Sequence, residues 1–177
     1  MPVGERDGGG LDGAGLAGER PGGERQELEG EFVLAMRKTS SVAQLLSQAA
    51  AERIGINVTD LNCLNVIALT GSMTAGELAK ATGLTTASIT GVLDRLEESG
   101  FVRRERDPDD RRRVNVVLNA GRALRDVAPV FAPMLKAWRG AADRYSDAEL
   151  RMFVEFQQQV EELMRDQLRR LRNPSPG

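Results

Sequence analysis

The sequence predicts a mainly α-helical domain that carries a two-stranded β-hairpin, and three observations predict it. Apolar residues recur at spacings of three and four over most of the chain, which is the period of an amphipathic helix. Glycines and capping residues divide this pattern into separate helices. Residues 101–106 and 113–118 instead have an extended, partly alternating pattern around turn residues at 107–110.

The composition excludes several classes of function. The chain has 177 residues, with 24 Lys+Arg and 26 Asp+Glu, a net charge of −2. It contains no histidine, which excludes histidine acid–base catalysis and histidine metal ligands. Its one cysteine excludes internal disulfides and cysteine-cluster zinc sites. We therefore expect a cytoplasmic protein that is not an enzyme and has no metal or cofactor.

Both ends of the chain differ in composition from the body. Residues 1–30 hold ten of the 19 glycines, and residues 1–31 carry three basic and eight acidic side chains. Such a segment has little to bury, so we expect residues 1–28 to be a disordered acidic arm and residues 173–177 a flexible tail. No stretch approaches the roughly 18 apolar residues of a membrane span, and the first segment lacks the basic start and apolar run of a signal peptide, so we expect neither. One domain at residues 29–172 remains.

Caps and glycines bound the helices that precede the hairpin. The predicted segments are residues 32–54, a helix from Thr59 or Asp60 to Gly71, a short helix from Thr74 to Gly83, and a helix from Thr85 or Thr86 to Gly100. Thr74 and Glu77 have the spacing of a capping box, in which each side chain bonds the other residue's backbone amide.

Two more helices follow the hairpin. Residues 120–145 have a helical pattern that contains Pro129 and Pro133, and each proline removes a backbone donor. We therefore expect a kink or a restart there. Ser146 and Glu149 form a second capping box, which begins a long helix with an apolar stripe.

A short helix, a glycine turn, a second helix and a hairpin occur in the order of a winged helix-turn-helix. The second helix of such a unit fits the major groove of B-DNA. The predicted DNA contacts on this helix are Thr85, Thr86, Ala87, Ser88, Thr90, Gly91 and Arg95. Six arginines of the hairpin region would approach the backbone or the minor groove. Four acidic residues interleave these arginines, so a merely solvated hairpin is the alternative.

The sequence resembles the MarR family of transcription factors over roughly residues 32–171. The resemblance is carried by residues 78–85, by residues 94–102, and by a wing in which Asp110, Arg111 and Arg112 are followed by six residues and Asn119. It implies that Arg112 enters the minor groove with Arg111 beside it, and that Asp110 holds the wing by ion pairing. The family has threonine where Asn119 stands, and many members have arginine where Gly91 stands.

The resemblance also implies an assembly and a function. Dimerisation helices at about 30–55 and 120–172 would flank a winged helix-turn-helix at about 59–119. The homodimer would be a ligand-responsive repressor that binds a pseudo-palindromic operator in double-stranded DNA. A small-molecule effector would release the DNA, and its site is unknown. The alternative is a winged-helix protein-interaction module without specific DNA binding, and steep salt dependence of DNA binding would distinguish the two.

Two features leave alternatives open. Cys63 lies among apolar residues of the second helix, which favours a buried, inert thiol over the oxidant sensing that some MarR proteins perform. Phe131, Trp138 and Tyr145 either pack a dimer core or line an effector pocket.

Overall fold

The computed structural model describes residues 21–108, 110 and 112–172. The chain divides into two compact units, Met1–Leu46 and Ser47–Gly177. The elements are α1 (Pro21–Ile54), α2 (Val58–Thr70), β1 (Ser72–Thr74), α3 (Ala75–Thr82), α4 (Thr86–Glu98), β2 (Val102–Arg106), β3 (Val114–Leu118), α5 (Ala120–Arg122), a π-helical segment (Ala123–Val127), α6 (Ala128–Ala142) and α7 (Asp147–Arg172). The fold is therefore mainly α-helical, as predicted.

The first helix begins earlier than the sequence predicted. Residues 21–28, which we expected to be disordered, belong to α1. Glutamate, arginine and glutamine are good helix formers, and an ion pair of 2.8 Å joins Arg25 to Glu29 one turn later. Helix propensity and this ion pair stabilise the helix in a segment that has little apolar surface to bury. The predictions for residues 1–20 and 173–177 lie outside the described residues.

The second helix begins at a different cap from the one predicted. Its N-cap is Asn57 rather than Thr59 or Asp60. The Asn57 Oδ1 atom accepts a hydrogen bond of 2.8 Å from the backbone N–H of Asp60, and Asn57 Nδ2 donates to the Asp60 carboxylate. Asparagine is as favourable at an N-cap as threonine or aspartate. Here Asn57 also binds the carboxylate of Asp60, one of the two residues predicted to be the cap.

Both predicted capping boxes are confirmed. Thr74 accepts the N–H of Glu77, and Glu77 accepts the N–H of Thr74 at 2.7 Å. Ser146 and Glu149 make the same reciprocal pair at the start of α7. A capping box forms between residues only three positions apart, so it depends little on how the rest of the chain packs.

The hairpin is part of a three-stranded antiparallel sheet in the order β1-β3-β2. The sequence predicted β2 and β3 but not β1, which pairs with β3 at Met73 opposite Val116. A strand of three residues is too short to show an alternating pattern. It ties the start of α3 to the base of the wing.

The helix predicted after the hairpin is interrupted before the prolines. Residues 123–127 form a π-helical turn between α5 and α6, and Pro129 lies in the first turn of α6. Pro129 has no N–H to donate to the preceding turn of this continuous helical stretch, and the π-helical turn lies where that hydrogen bond is missing. Pro133 lies inside α6, and the helix continues through it.

The main hydrophobic core lies between α2, α3, α4 and the sheet. Its largest fully buried members are Phe101, Ile67, Leu78, Ile89, Leu93 and Leu96. A second, smaller cluster joins the end of α1 to α2 through Ala50, Ala51 and Leu61, with Val130 and Phe131 of α6 against it. The main core fixes the position of α4 relative to the wing.

Candidate nucleic-acid interface

The helix-turn-helix is formed by α3, a turn at Gly83, and α4. Gly83 has φ +65°, a left-handed conformation that ends α3 with little strain because glycine has no Cβ atom. Thr85 caps α4 by accepting the N–H of Ser88 at 3.2 Å. Of the two predicted caps, Thr85 and Thr86, the structure has Thr85, and the predicted stop at Gly83 is confirmed.

The recognition-helix candidate α4 has one buried and one exposed face. Ile89, Val92, Leu93 and Leu96 are buried in the main core. The exposed residues at the start of the helix are Thr85, Thr86, Ala87, Ser88 and Thr90, and Gly91 is partly buried beside them. The structure thus brings together six of the seven residues predicted to contact DNA on this helix.

The exposed face of α4 is small and rich in hydroxyl groups. The Thr85 and Ser88 hydroxyls lie 2.8 Å apart, and the Thr90 hydroxyl donates to the Thr86 carbonyl at 3.1 Å. Each hydroxyl can exchange such a local bond for a base edge or a phosphate, since it both donates and accepts. A Cβ atom added to Gly91 would lie 3.5 Å from Arg95 Nη1, which is an ordinary van der Waals contact, so the structure has room for a small side chain at this position.

Arg95, the seventh predicted contact, faces a different partner. Its Nε and Nη2 atoms donate to the two carboxylate oxygens of Asp60, at 2.9 and 2.6 Å. The Asp60 hydrogen bond and charge raise the pKa of the Arg95 guanidinium above its usual value. The guanidinium is therefore directed at α2, while the hydroxyl-bearing face lies at the other end of α4.

The wing is shaped by hydrogen bonds at its tip. The Asp110 carboxylate accepts the backbone N–H of Arg112 at 2.9 Å, and the Asp110 carbonyl accepts the N–H of Arg113. Asp107 accepts the N–H of Asp110 and a side-chain N–H of Asn115. Asp110 thus binds the wing backbone, whereas the resemblance implied an ion pair. The Arg112 side chain is exposed beside it, and Arg111 lies outside the described residues.

Several ion pairs near the site escaped the sequence analysis, although it included their arginines as candidate DNA contacts. Arg104 of β2 donates to Asp94 at 2.7 Å and to Glu97, and the Asp94 hydrogen bond raises the pKa of Arg104 above its usual value. Arg113 of the wing pairs with Glu77 of α3 at 3.2 Å. Asp60 and Arg95 are 35 positions apart. Such separations give no local signal, so only the fold reveals these pairs.

Two kinds of feature are absent from the part of the chain that the structure describes. Among the described residues, no group of three or more cysteine, aspartate or glutamate side chains could hold a metal ion. No helix in the same part of the chain combines the length and the apolar character needed to cross a membrane.

Comparisons with known proteins agree with this geometry. The MarR family pattern matches residues 56–114. The uncharacterized HTH-type transcriptional regulator YcgE of Bacillus subtilis is 39% identical over 148 residues, which are 84% of this chain and 96% of YcgE. The B. subtilis HTH-type transcriptional repressor YetL is 39% identical over 80 residues, 44% of this chain and 46% of YetL.

Solved structures show the same fold at low sequence identity. A mutant of MepR from a multidrug-resistant clinical isolate of S. aureus is 18% identical, with a TM-score of 0.62 over 75% of this chain and 96% of that chain. Another S. aureus MepR mutant, solved bound to an oligodeoxyribonucleotide, is 18% identical and has a TM-score of 0.51, over 75% of this chain and 97% of that chain. These structures support the fold, and the YcgE match establishes that the chain belongs to the MarR family of helix-turn-helix transcriptional regulators.

Proposed function

We propose that this protein is a sequence-specific regulator that binds double-stranded DNA as a homodimer and represses transcription from a pseudo-palindromic operator. The observation that carries the proposal is the exposed hydroxyl-bearing start of α4 beside an arginine-bearing wing. In this assignment Thr85, Thr86, Ala87, Ser88, Thr90 and Gly91 meet the major groove. Arg111 and Arg112 of the wing meet the minor groove or the adjacent backbone.

The charge distribution supports DNA as the partner. Residues 32–177 carry 21 basic and 18 acidic side chains, so the net charge of −2 comes from the first 31 residues. Two wing arginines are neutralised locally, because Arg104 pairs with Asp94 and Glu97, and Arg113 pairs with Glu77. Arg112 is exposed at the tip, where a phosphate or the narrow minor groove can reach it.

Exposed apolar residues support a dimer. The α7 helix leaves Phe153, Met164 and Leu171 49%, 56% and 71% exposed, on one side of the helix. A soluble monomer rarely leaves such a stripe in water, so we assign it to a two-fold partner. A two-fold dimer of winged helices contacts half-sites about 10 base pairs apart, which requires a pseudo-palindromic operator.

From the resemblance to the family we also propose that the protein represses transcription and responds to a ligand. A repressor of this kind covers its operator and blocks polymerase. A small effector releases the DNA only if it binds the released conformation more tightly than the DNA-bound one. The repressor assignment is supported by the similarity to YetL, which is named a transcriptional repressor. The effector site is left unassigned.

Selection from random duplex DNA, followed by titration at several salt concentrations, tests the function. We expect an enriched pseudo-palindrome and a steep fall of affinity with salt, because each phosphate contact releases counterions. The Arg112→Ala variant should lose about 1–3 kcal/mol of binding free energy. The matched control is Arg25→Ala, which removes an exposed arginine from the start of α1, outside the proposed DNA contacts and the predicted dimerisation helices. Its affinity should equal that of the wild type.

The same titration tests the alternative. No enriched sequence, and weak binding that is equal for Arg112→Ala and the wild type, would contradict DNA-specific regulation. The hairpin would then be assigned to docking of another protein.

A further inference from the structure

Asp60 is the one charged residue that is buried among the described residues, and its partners determine what it does. It lies in the first turn of α2, with its side chain 3% exposed. Its carboxylate accepts three hydrogen bonds, from Arg95 Nε at 2.9 Å, Arg95 Nη2 at 2.6 Å and Asn57 Nδ2 at 2.8 Å. A buried carboxylate needs such compensation, since desolvation otherwise opposes its charge.

This contact uses one complete edge of the Arg95 guanidinium. The planar guanidinium recognises carboxylates, phosphates and guanine through two parallel N–H groups. In this structure Nε and Nη2 are both committed to Asp60. A direct contact of the same edge with DNA would leave the Asp60 carboxylate buried with Asn57 as its remaining partner, which is costly.

A second set of ion pairs attaches α4 to strand β2. Arg104 of β2 donates to Asp94 at 2.7 Å and to Glu97, and the Arg104 backbone N–H donates to Glu97 Oε1 at 3.0 Å. The last two turns of α4 are thus attached to α2 through Arg95 and to the wing through Asp94 and Glu97. Leu93 and Leu96, next to these charged residues in the sequence, are buried in the main core.

We propose that Asp60 and Arg95 are positioning residues, which set the angle at which α4 presents its first turns to the operator. This inference rests on the proposed DNA-binding function. Thr86 lies nine positions before Arg95, about 13 Å along the helix axis. A tilt of about 5° at the anchored end moves Thr86 by about 1 Å, which exceeds the range of distances over which a hydrogen bond keeps its strength. Operator discrimination therefore depends on the Asp60–Arg95 contact, although Arg95 does not itself contact DNA.

A double-mutant cycle tests the proposal with Asp60→Asn, Arg95→Gln and the double variant. Affinity is measured for the operator selected by the wild type and for a random duplex, at several salt concentrations. Each single variant should lose about tenfold or more in operator affinity, with little change for the random duplex and an unchanged salt slope. The double variant should be no weaker than the weaker single variant, since both changes remove one contact.

Two further variants separate positioning from charge and from folding. Arg95→Lys keeps the positive charge but cannot bind Asp60 through two parallel N–H groups, so it should also lose operator affinity. Arg25→Gln breaks an arginine–carboxylate pair in the first unit and should bind the operator normally. Thermal unfolding followed by circular dichroism identifies a temperature at which every variant is folded. Under those conditions, a contact that contributed stability alone would leave operator affinity unchanged, and this result would overturn the proposal.

A direct phosphate contact by Arg95 gives a different pattern. Arg95→Gln would then reduce the salt slope by about one phosphate, Arg95→Lys would bind well, and Asp60→Asn would bind as well as the wild type. That pattern would overturn the positioning role while leaving the proposed function intact. If the wild type selects no operator, the proposed function fails, and the positioning role fails with it.

Discussion

At the scale of single residues, burial determines the chemistry of Cys63. Its side chain is fully buried in the main core. Burial raises the pKa of the Cys63 thiol from 9.0 to about 11, and the nearby Asp60 carboxylate adds to the increase. The thiolate is the reactive form, so this environment favours the inert thiol over oxidant sensing.

We predict that Cys63 reacts slowly in the folded protein. At pH 8 its reaction with Ellman's reagent should be about 100-fold slower than in urea-unfolded protein, because the raised pKa lowers the thiolate fraction and burial limits access further. The same shift destabilises the fold at high pH, since the unfolded thiol ionises first. Relative to Cys63→Ala, the stability of the wild type should fall as the pH rises from 9 to about 11. Equal labelling rates in folded and unfolded protein would contradict this prediction.

The arginines show what the sequence could and could not predict at this scale. The exposed positions of Arg112 and of Thr86, Ser88 and Thr90 follow from local pattern, because a face of a helix or the tip of a hairpin is defined by neighbouring residues. The partner of Arg95 does not, since Asp60 lies 35 positions away on another helix. Helical spacing assigned Arg95 to the outward face, and only the packing of α2 against α4 shows its partner.

At the scale of elements, the capping box of α3 links the helix-turn-helix to the wing. The Glu77 carboxylate accepts the N–H of Thr74 at 2.7 Å and its hydroxyl at 2.9 Å, and it also pairs with Arg113. The hydrogen bonds from the Thr74 backbone and side chain, followed by the Arg113 charge, lower the pKa of Glu77 below its usual value. The ionised carboxylate is therefore the stabilising form.

We predict that the contribution of Glu77 to stability is lost in acid. A carboxyl whose pKa is lowered by folding stabilises the protein above its unfolded pKa of 4.5, and this effect disappears as the pH falls through the lower, folded value. Urea unfolding from pH 7 to pH 3 should thus show a difference between wild type and Glu77→Gln that shrinks below pH 4.5. Thr74→Ala should lose about 1 kcal/mol at pH 7. Glu98→Gln controls for removal of an exposed carboxylate, and a difference for Glu77→Gln that is constant with pH would refute the assignment.

Elements were predictable where their signals are local. The capping boxes at Thr74 and Ser146 and the stop at Gly83 involve four residues or fewer, and each is present. The strand β1 was missed because its pairing with β3 spans more than 40 positions. A kink or a restart was expected at Pro129 and Pro133, whereas the irregular turn is the π-helical segment that ends two residues before Pro129. Pairing and packing between distant segments decide such features, and a local pattern does not contain them.

At the scale of the whole molecule, the last helix has more apolar surface than its own chain covers. Apolar residues follow one another at spacings of three, seven, four and four on one side of α7: Leu150, Phe153, Val160, Met164 and Leu168. Phe153, Met164 and Leu168 are exposed, and Leu150 and Val160 are half-buried. The sequence left open whether three aromatic residues pack a dimer core or line an effector pocket, and these residues also differ in exposure. Trp138 and Tyr145 are exposed, whereas Phe131 packs on the second cluster.

We predict that Met164→Glu converts a dimer into a folded monomer. Met164 is 56% exposed in the single chain, so a charge there costs the isolated fold little, whereas it would be buried in a dimer formed through this stripe. Analytical ultracentrifugation should give a dimer for the wild type and a monomer for the variant, with equal helix content by circular dichroism. Operator affinity should fall by about tenfold or more, because two linked half-site contacts become independent. Gln159→Glu adds the same charge five positions away, about 140° around the helix, and should remain dimeric with full affinity. A dimeric Met164→Glu protein would place the two-fold interface on another surface, and the exposed apolar residues of α1 would be substituted next.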